Sequence, residues 1–136
     1  DVGYGQLAWH LRQDPRVDVI ERTNIRYMPY DKIGRRVDLI TIDVSFISLK
    51  IVVPAVQQFM HSESRIIALI KPQFEVGKGQ VGKGGVVRDP QLHQEVLSNL
   101  AGFFRRTGLQ PIDTIPSPIT GPKGNREFLT LLIPST

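Results

Sequence analysis

The chain has 136 residues, no cysteine, and 17 Lys and Arg against 13 Asp and Glu, a formal net charge of +4. A chain this long reads as one domain able to bury a real core without cross-links, and the lack of cysteine excludes disulfides, thiolate zinc sites and cysteine nucleophiles. No apolar run reaches the ~18–20 residues of a membrane-spanning helix.

The chain opens on Asp1-Val2-Gly3 with no signal peptide, and reads as a fragment of a longer protein. Gly5 to Arg12 places Leu7, Ala8 and Leu11 on one helical face, and Asp14-Pro15 ends that helix. Val17 to Ile20 is a strand candidate. Val37 to Asp43 is apolar almost throughout and ends in an acid, the pattern of a buried parallel strand. Ser48 to Met60 carries Leu49, Val52, Val53, Val56, Phe59 and Met60 at helical spacing, with Pro54 near the first turn. Arg65 to Lys71 is a second buried strand ending in a charge. Asp89-Pro90 starts a helix that Gly108 stops, with Leu92, Val96, Leu97, Leu100, Phe103 and Phe104 inward. Leu109 to Ile115 and Glu127 to Ile133 are the last strands. Alternating strands and helices predict a layered α/β sheet, and such sheets bind ligands beyond the carboxyl ends of their strands. Asp1, Asn24, Asp43 and Lys71 fall at that edge.

The positive charge is concentrated. Lys71, Lys78, Lys83 and Arg88 stand against Glu75 in one loop region, and Lys123 and Arg126 stand in a second with no acid before Glu127. Outside these two stretches the chain carries eleven basic and twelve acidic residues, and inside them lie seven of its twelve glycines. Basic side chains on a glycine-rich backbone suit a phosphate or a polyanion. They also suit a pair of solvated loops. His10, His61 and His93 lack metal-ligand spacing. Taken singly, Asp43 is also a plausible helix cap, Asn24 a turn former and Glu127 a strand-start acid.

Five segments carry a more specific signal: Asp1-Val2-Gly3-Tyr4-Gly5-Gln6-Leu7-Ala8-Trp9, Thr41-Ile42-Asp43-Val44-Ser45-Phe46-Ile47-Ser48-Leu49, Leu69-Ile70-Lys71-Pro72-Gln73-Phe74-Glu75, Gly82-Lys83-Gly84-Gly85-Val86-Val87-Arg88-Asp89-Pro90 and Gly121-Pro122-Lys123-Gly124-Asn125-Arg126-Glu127-Phe128-Leu129. In that order they resemble the TlyA family over nearly the whole chain. TlyA proteins are often labelled hemolysins and resemble FtsJ-type methyltransferases, which use S-adenosylmethionine to methylate ribose 2′-hydroxyls of ribosomal RNA.

The resemblance implies a single FtsJ-like methyltransferase domain over residues 1–136, N-terminally truncated and without the family's RNA-binding N-terminal domain. Its fold would be a Rossmann-like class I sheet with helices on both faces, in the order 3-2-1-4-5-7-6, with strand seven antiparallel and strand one missing. On this reading the part from Val37 onward is the stable half. Asp43, Lys71 and Glu127 match the last three members of a Lys-Asp-Lys-Glu tetrad around the target ribose; the first lysine and the cofactor's glycine-rich loop would precede Asp1. Asp1 matches the acid that bonds the cofactor ribose, Asn24 the reader of its adenine, and Asp43 also borders the cofactor. Lys78, Lys83, Arg88, Lys123 and Arg126 would meet RNA. The implied cofactor is S-adenosylmethionine, with no metal; the partner is ribosomal RNA or a ribosomal subunit; the setting is cytoplasmic. The chemistry demands alignment of a weak hydroxyl nucleophile with a methyl electrophile and stabilisation of a developing alkoxide, and a lysine can take the proton or stabilise the oxyanion. A membrane-lytic protein, a non-catalytic RNA-binding relative and a small-molecule methyltransferase are the alternatives.

Overall fold

The structure, a computed structural model, describes residues 1–136. Its centre is a four-stranded sheet of β1 (Val37–Ile42), β2 (Met60–Ile70), β3 (Leu109–Pro116) and β4 (Phe128–Pro134), in the order β1-β2-β4-β3. β1 and β2 are parallel, whereas β4 runs antiparallel to both β2 and β3. This is the 4-5-7-6 half of the expected sheet, with its antiparallel strand, and β1 has no strand on its far side.

Two helices follow from local signals. In α2 (Leu49–Val56) the Ser48 hydroxyl accepts from the Lys50 N–H at 3.1 Å, and in α3 (Pro90–Arg106) the Asp89 carboxylate accepts from the Gln91 N–H at 2.9 Å. Gly108, at φ +85°, turns the chain out of α3 into β3. The apolar stripes of both helices join Ile42, Ile66, Ala68, Ile70 and Leu132 in one core. The result is the expected α/β architecture, with α2 and α3 packed on the sheet and Leu39, Ile67 and Ile115 of its strands left exposed.

Several boundaries differ from expectation. Val17 to Ile20 is not a strand, because nothing within residues 1–36 offers it a ladder; the Val17 N–H donates to the Asp14 carbonyl at 3.0 Å and the Asp1 ammonium to the Ile20 carbonyl at 3.0 Å. The helix expected from Gly5 shrinks to α1 (Trp9–Arg12), which buries no residue. Helix 48–60 ends at Val56, two residues after Pro54, and a tight turn at Gln57–Phe59 leads directly into β2, which starts at Met60 instead of Arg65. A proline inside the helix removes a backbone donor, and the helix does not extend far beyond it. Met28 is the one residue before Val37 in the buried core.

Candidate functional site

Sheet register assembles the site. Ile70, the last residue of β2, pairs with Phe128, the first of β4, so Lys71 and Glu127 leave the sheet at the same end. β1 runs parallel to β2, so Asp43 emerges at that end too. Lys71 Nζ lies 2.7 Å from Asp43 Oδ1 and donates to Ser45 Oγ at 3.1 Å. The lysine side chain is 13% exposed and that of Asp43 is 73% exposed, so the pair has a sheltered cation and an open carboxylate.

Glu127 stands apart from this pair. It is buried, forms no ion pair, and its Oε2 accepts from Gln73 Nε2 at 2.8 Å. Its carboxylate also lies against Gly121, where a Cβ would be 2.6 Å from Glu127 Cδ and nearer still to Oε2. The structure therefore joins Asp43 to Lys71 directly and brings Glu127 to the same sheet edge in a slot of its own.

Several side chains around this edge were not singled out from the sequence. Phe46 has φ +62° and is 89% exposed, and its ring centroid is 4.8 Å from that of Phe74. A non-glycine residue at positive φ with its ring in solvent is unusual in a fold, and such strain gathers at functional sites. Glu75 accepts from Ser48 Oγ at 2.6 Å and from the Leu49 N–H at 2.8 Å, tying the loop after β2 to the start of α2. Burial pushes its carboxyl above the ordinary value, against the opposing pull of those two donors and of Lys50. The available signal for these residues was their shared position: Ser45, Phe46, Gln73, Phe74 and Glu75 all follow the two strands that carry Asp43 and Lys71.

Asp1 and Asn24 lie together, since the Thr23 N–H donates to the Asp1 carbonyl at 2.9 Å and the Arg22 N–H to the Gly3 carbonyl at 3.2 Å. One oxygen of the Asp1 carboxylate accepts from the Gly3 N–H at 2.8 Å. Asn24 Oδ1 accepts from the Arg26 N–H at 3.0 Å and caps the turn at Ile25–Tyr27, which leaves its Nδ2 unengaged. No hydrogen bond or ion pair links either residue to the Asp43–Lys71 pair. A shallow cavity of 340 Å³ borders Asp1, between Leu7 and Val19.

The basic loops are held to one another. Asn125, buried between them, accepts from the Val87 N–H at 3.0 Å through Oδ1 and donates to the Gly85 carbonyl at 2.9 Å through Nδ2. His93 Nε2 lies 2.7 Å from the Val87 carbonyl, and Lys123 packs over Gly84. Lys78, Lys83, Arg88, Lys123 and Arg126 are exposed and none is in an ion pair. Two loops separate in sequence are thus joined, with Lys123 beside the Lys83–Arg88 stretch and next to the sheet edge through Glu127. No helix of the structure is long and apolar enough to cross a membrane.

The sequence pattern of a family described as FtsJ-like methyltransferase matches residues 1–133. The chain belongs to the FtsJ-like methyltransferase family. Among similar proteins of this kind, the 16S/23S rRNA (cytidine-2′-O)-methyltransferase TlyA of Mycobacterium tuberculosis is 52% identical over 132 residues, covering 97% of this chain and 49% of that protein. Hemolysin A of Brachyspira hyodysenteriae is 37% identical over 134 residues, covering 98% of this chain and 56% of that protein. A solved structure of a candidate hemolysin from Streptococcus thermophilus superposes with a TM-score of 0.93 at 41% identity, covering 99% of this chain and 49% of the other. This FtsJ-like chain thus spans about half the length of the curated relatives it matches.

Proposed function

We propose that this FtsJ-like chain is part of a methyltransferase domain that methylates ribose 2′-hydroxyls of ribosomal RNA with S-adenosylmethionine, acting in the cytoplasm. The observation that carries the reading is the sheltered Lys71 ammonium, held 2.7 Å from Asp43 at the end of the sheet. An oriented cation beside open space is what a hydroxyl oxygen needs as it gains negative character. The names of the rRNA methyltransferase relatives supply the substrate class.

The nucleoside end of the cofactor fits residues that are present. Asp1 keeps one carboxylate oxygen unengaged, suited to a ribose hydroxyl, and Asn24 keeps its amide N–H groups, suited to an acceptor nitrogen of a base. When bound, the cofactor supplies an electrophilic methyl group on a sulfonium centre. Lys71 then orients the substrate oxygen. As an ammonium it has no lone pair to receive a proton, so in this arrangement it acts through charge, and the hydroxyl proton passes to a carboxylate or to water. Asp43 and Ser45 fix the direction of the ammonium, and Glu127 is the second carboxylate of the site. Phe46 offers a ring face on which an unstacked base can lie. Lys78, Lys83, Arg88, Lys123 and Arg126 meet the phosphate backbone.

The test is methyl transfer from radiolabelled S-adenosylmethionine to ribosomal RNA or ribosomal subunits by the full-length protein and its Lys71→Ala variant. We expect transfer by the parent and its loss in the folded variant. An unchanged rate in the variant would remove Lys71 from the mechanism.

A further inference from the structure

The five residues from Lys71 to Glu75 each reach a different part of the sheet edge. Lys71 meets Asp43 and Ser45, Phe74 lies beside Phe46, and Glu75 holds Ser48 and Leu49. Pro72 is buried and begins the tight turn Pro72–Phe74. Gln73 alone reaches the other way, to Glu127 in front of β4.

Gln73 also carries the one buried side-chain polar atom in the chain that has no hydrogen-bond partner, its Oε1. Native structures rarely leave such an atom buried, and each instance needs a reason. The reason here is the neighbour. A carboxylate oxygen accepts hydrogen bonds, so the amide turns Nε2 toward Glu127 Oε2, which leaves Oε1 buried with no partner. An apolar side chain of similar length would fill the space without an orphaned acceptor. What it could not do is grip the carboxylate.

We propose that Gln73 is a positioning residue for the transfer reaction: it aims the Glu127 carboxylate and, through the Pro72–Phe74 turn, fixes it relative to Lys71, with which Glu127 makes no ion pair. Gly121 also lies against this carboxylate, leaving room for it only because it lacks a Cβ. The inference rests on the reading of Glu127 and Lys71 as site residues.

A double-mutant cycle in the full-length protein tests it, with Gln73→Met, Glu127→Ala and both together, each measured for kcat, for KM toward ribosomal RNA, and for Tm. Methionine matches glutamine in length and removes both the grip and the orphaned acceptor. The expected Gln73→Met variant stays folded with a Tm lowered by several degrees, because the buried Glu127 carboxylate loses its donor, loses roughly 10- to 100-fold in kcat as a displaced catalytic group does, and keeps its KM. In the Glu127→Ala background the same substitution should cost nothing further, because Gln73 acts through Glu127. Gln73→Asn, which keeps the amide but shortens its reach, guards against misfolding and should show the same kcat loss. A parent-like kcat in Gln73→Met or Gln73→Asn while Glu127→Ala is impaired overturns the inference alone, as does a loss that multiplies with that of Glu127→Ala. A fully active Glu127→Ala overturns the site reading beneath it.

Discussion

Replacing Gly121 by alanine adds one methyl group to the slot that holds Glu127. Gly121 has φ −78° and ψ −168°, extended backbone that alanine adopts without strain, so the perturbation is purely steric. The new Cβ would stand 2.6 Å from Glu127 Cδ, against an ordinary van der Waals range that begins at 3.4 Å. The carboxylate must therefore retreat by roughly 1 Å, and a misplacement of about 1 Å at a reacting centre can cost ~100-fold in rate, or about 2.7 kcal/mol of activation free energy at ~1.36 kcal/mol per tenfold. The retreat also strains the bond from Gln73 Nε2, a hydrogen bond to a charged group contributing about 1.5–3 kcal/mol. Against this, alanine restricts the unfolded chain more than glycine does and returns about 0.4–1 kcal/mol, leaving a net destabilisation of about 1–2 kcal/mol. Single-turnover methyl transfer to ribosomal RNA and a urea titration on the same preparation measure both effects. A Gly121→Ala variant with parental rate would show that the position of Glu127 does not matter, and the catalytic role given to that carboxylate would fall with it.

Three other perturbations probe separate parts of the molecule. Glu75 has its carboxyl raised by burial, and a group whose folded value is raised stabilises fully below its unfolded value, near 4.5, and loses that contribution as pH rises through the folded value; Glu75→Gln, neutral throughout, should gain in Tm relative to the parent from pH 4 to pH 8, and parallel Tm profiles would contradict this. Asn125→Ala leaves the buried Val87 N–H without its acceptor and the Gly85 carbonyl without its donor, which should lower stability by about 1–3 kcal/mol and weaken RNA binding by releasing the two basic loops from each other; unchanged urea midpoint and RNA affinity would show that the clasp is dispensable. Lys83→Ala combined with Lys123→Ala should flatten the salt dependence of RNA binding by roughly 0.7 in log–log slope for each phosphate no longer neutralised, and an unaltered slope would place the RNA elsewhere.

The strands from Val37 onward were readable because each is an apolar run closed by a charge or a turn, and α3 because Asp89-Pro90 and Gly108 mark both ends. Val17 to Ile20 has the same apolar pattern and forms no strand, because pairing is decided by a neighbour that local sequence does not reveal. The order Asp43, Lys71, Glu127 was legible through the resemblance, and sheet register explains why such distant residues share one edge. Their different circumstances were not legible. That Lys71 pairs with Asp43 while Glu127 turns to Gln73 depends on the turn at Pro72–Phe74 and on the space left by Gly121. Asn24 shows the opposite case: its Oδ1 makes the local turn that asparagine favours anywhere, and only its amide nitrogen is left for a ligand. The two charged loops were visible as composition, but their union through Asn125 was not, since a single asparagine among glycines gives no sign that it will be buried.

Ribose methylation dependent on Lys71 is decided by where the transferred methyl group lands. Ribosomal RNA treated with the full-length protein and S-adenosylmethionine is digested with alkali, which cleaves RNA only where a 2′-hydroxyl is free. The expected result is a new alkali-resistant linkage at the labelled nucleotide, absent when Lys71→Ala protein is used. Label recovered on a base, with every linkage still cleaved, or the same resistant linkage formed by the Lys71→Ala protein, would contradict it.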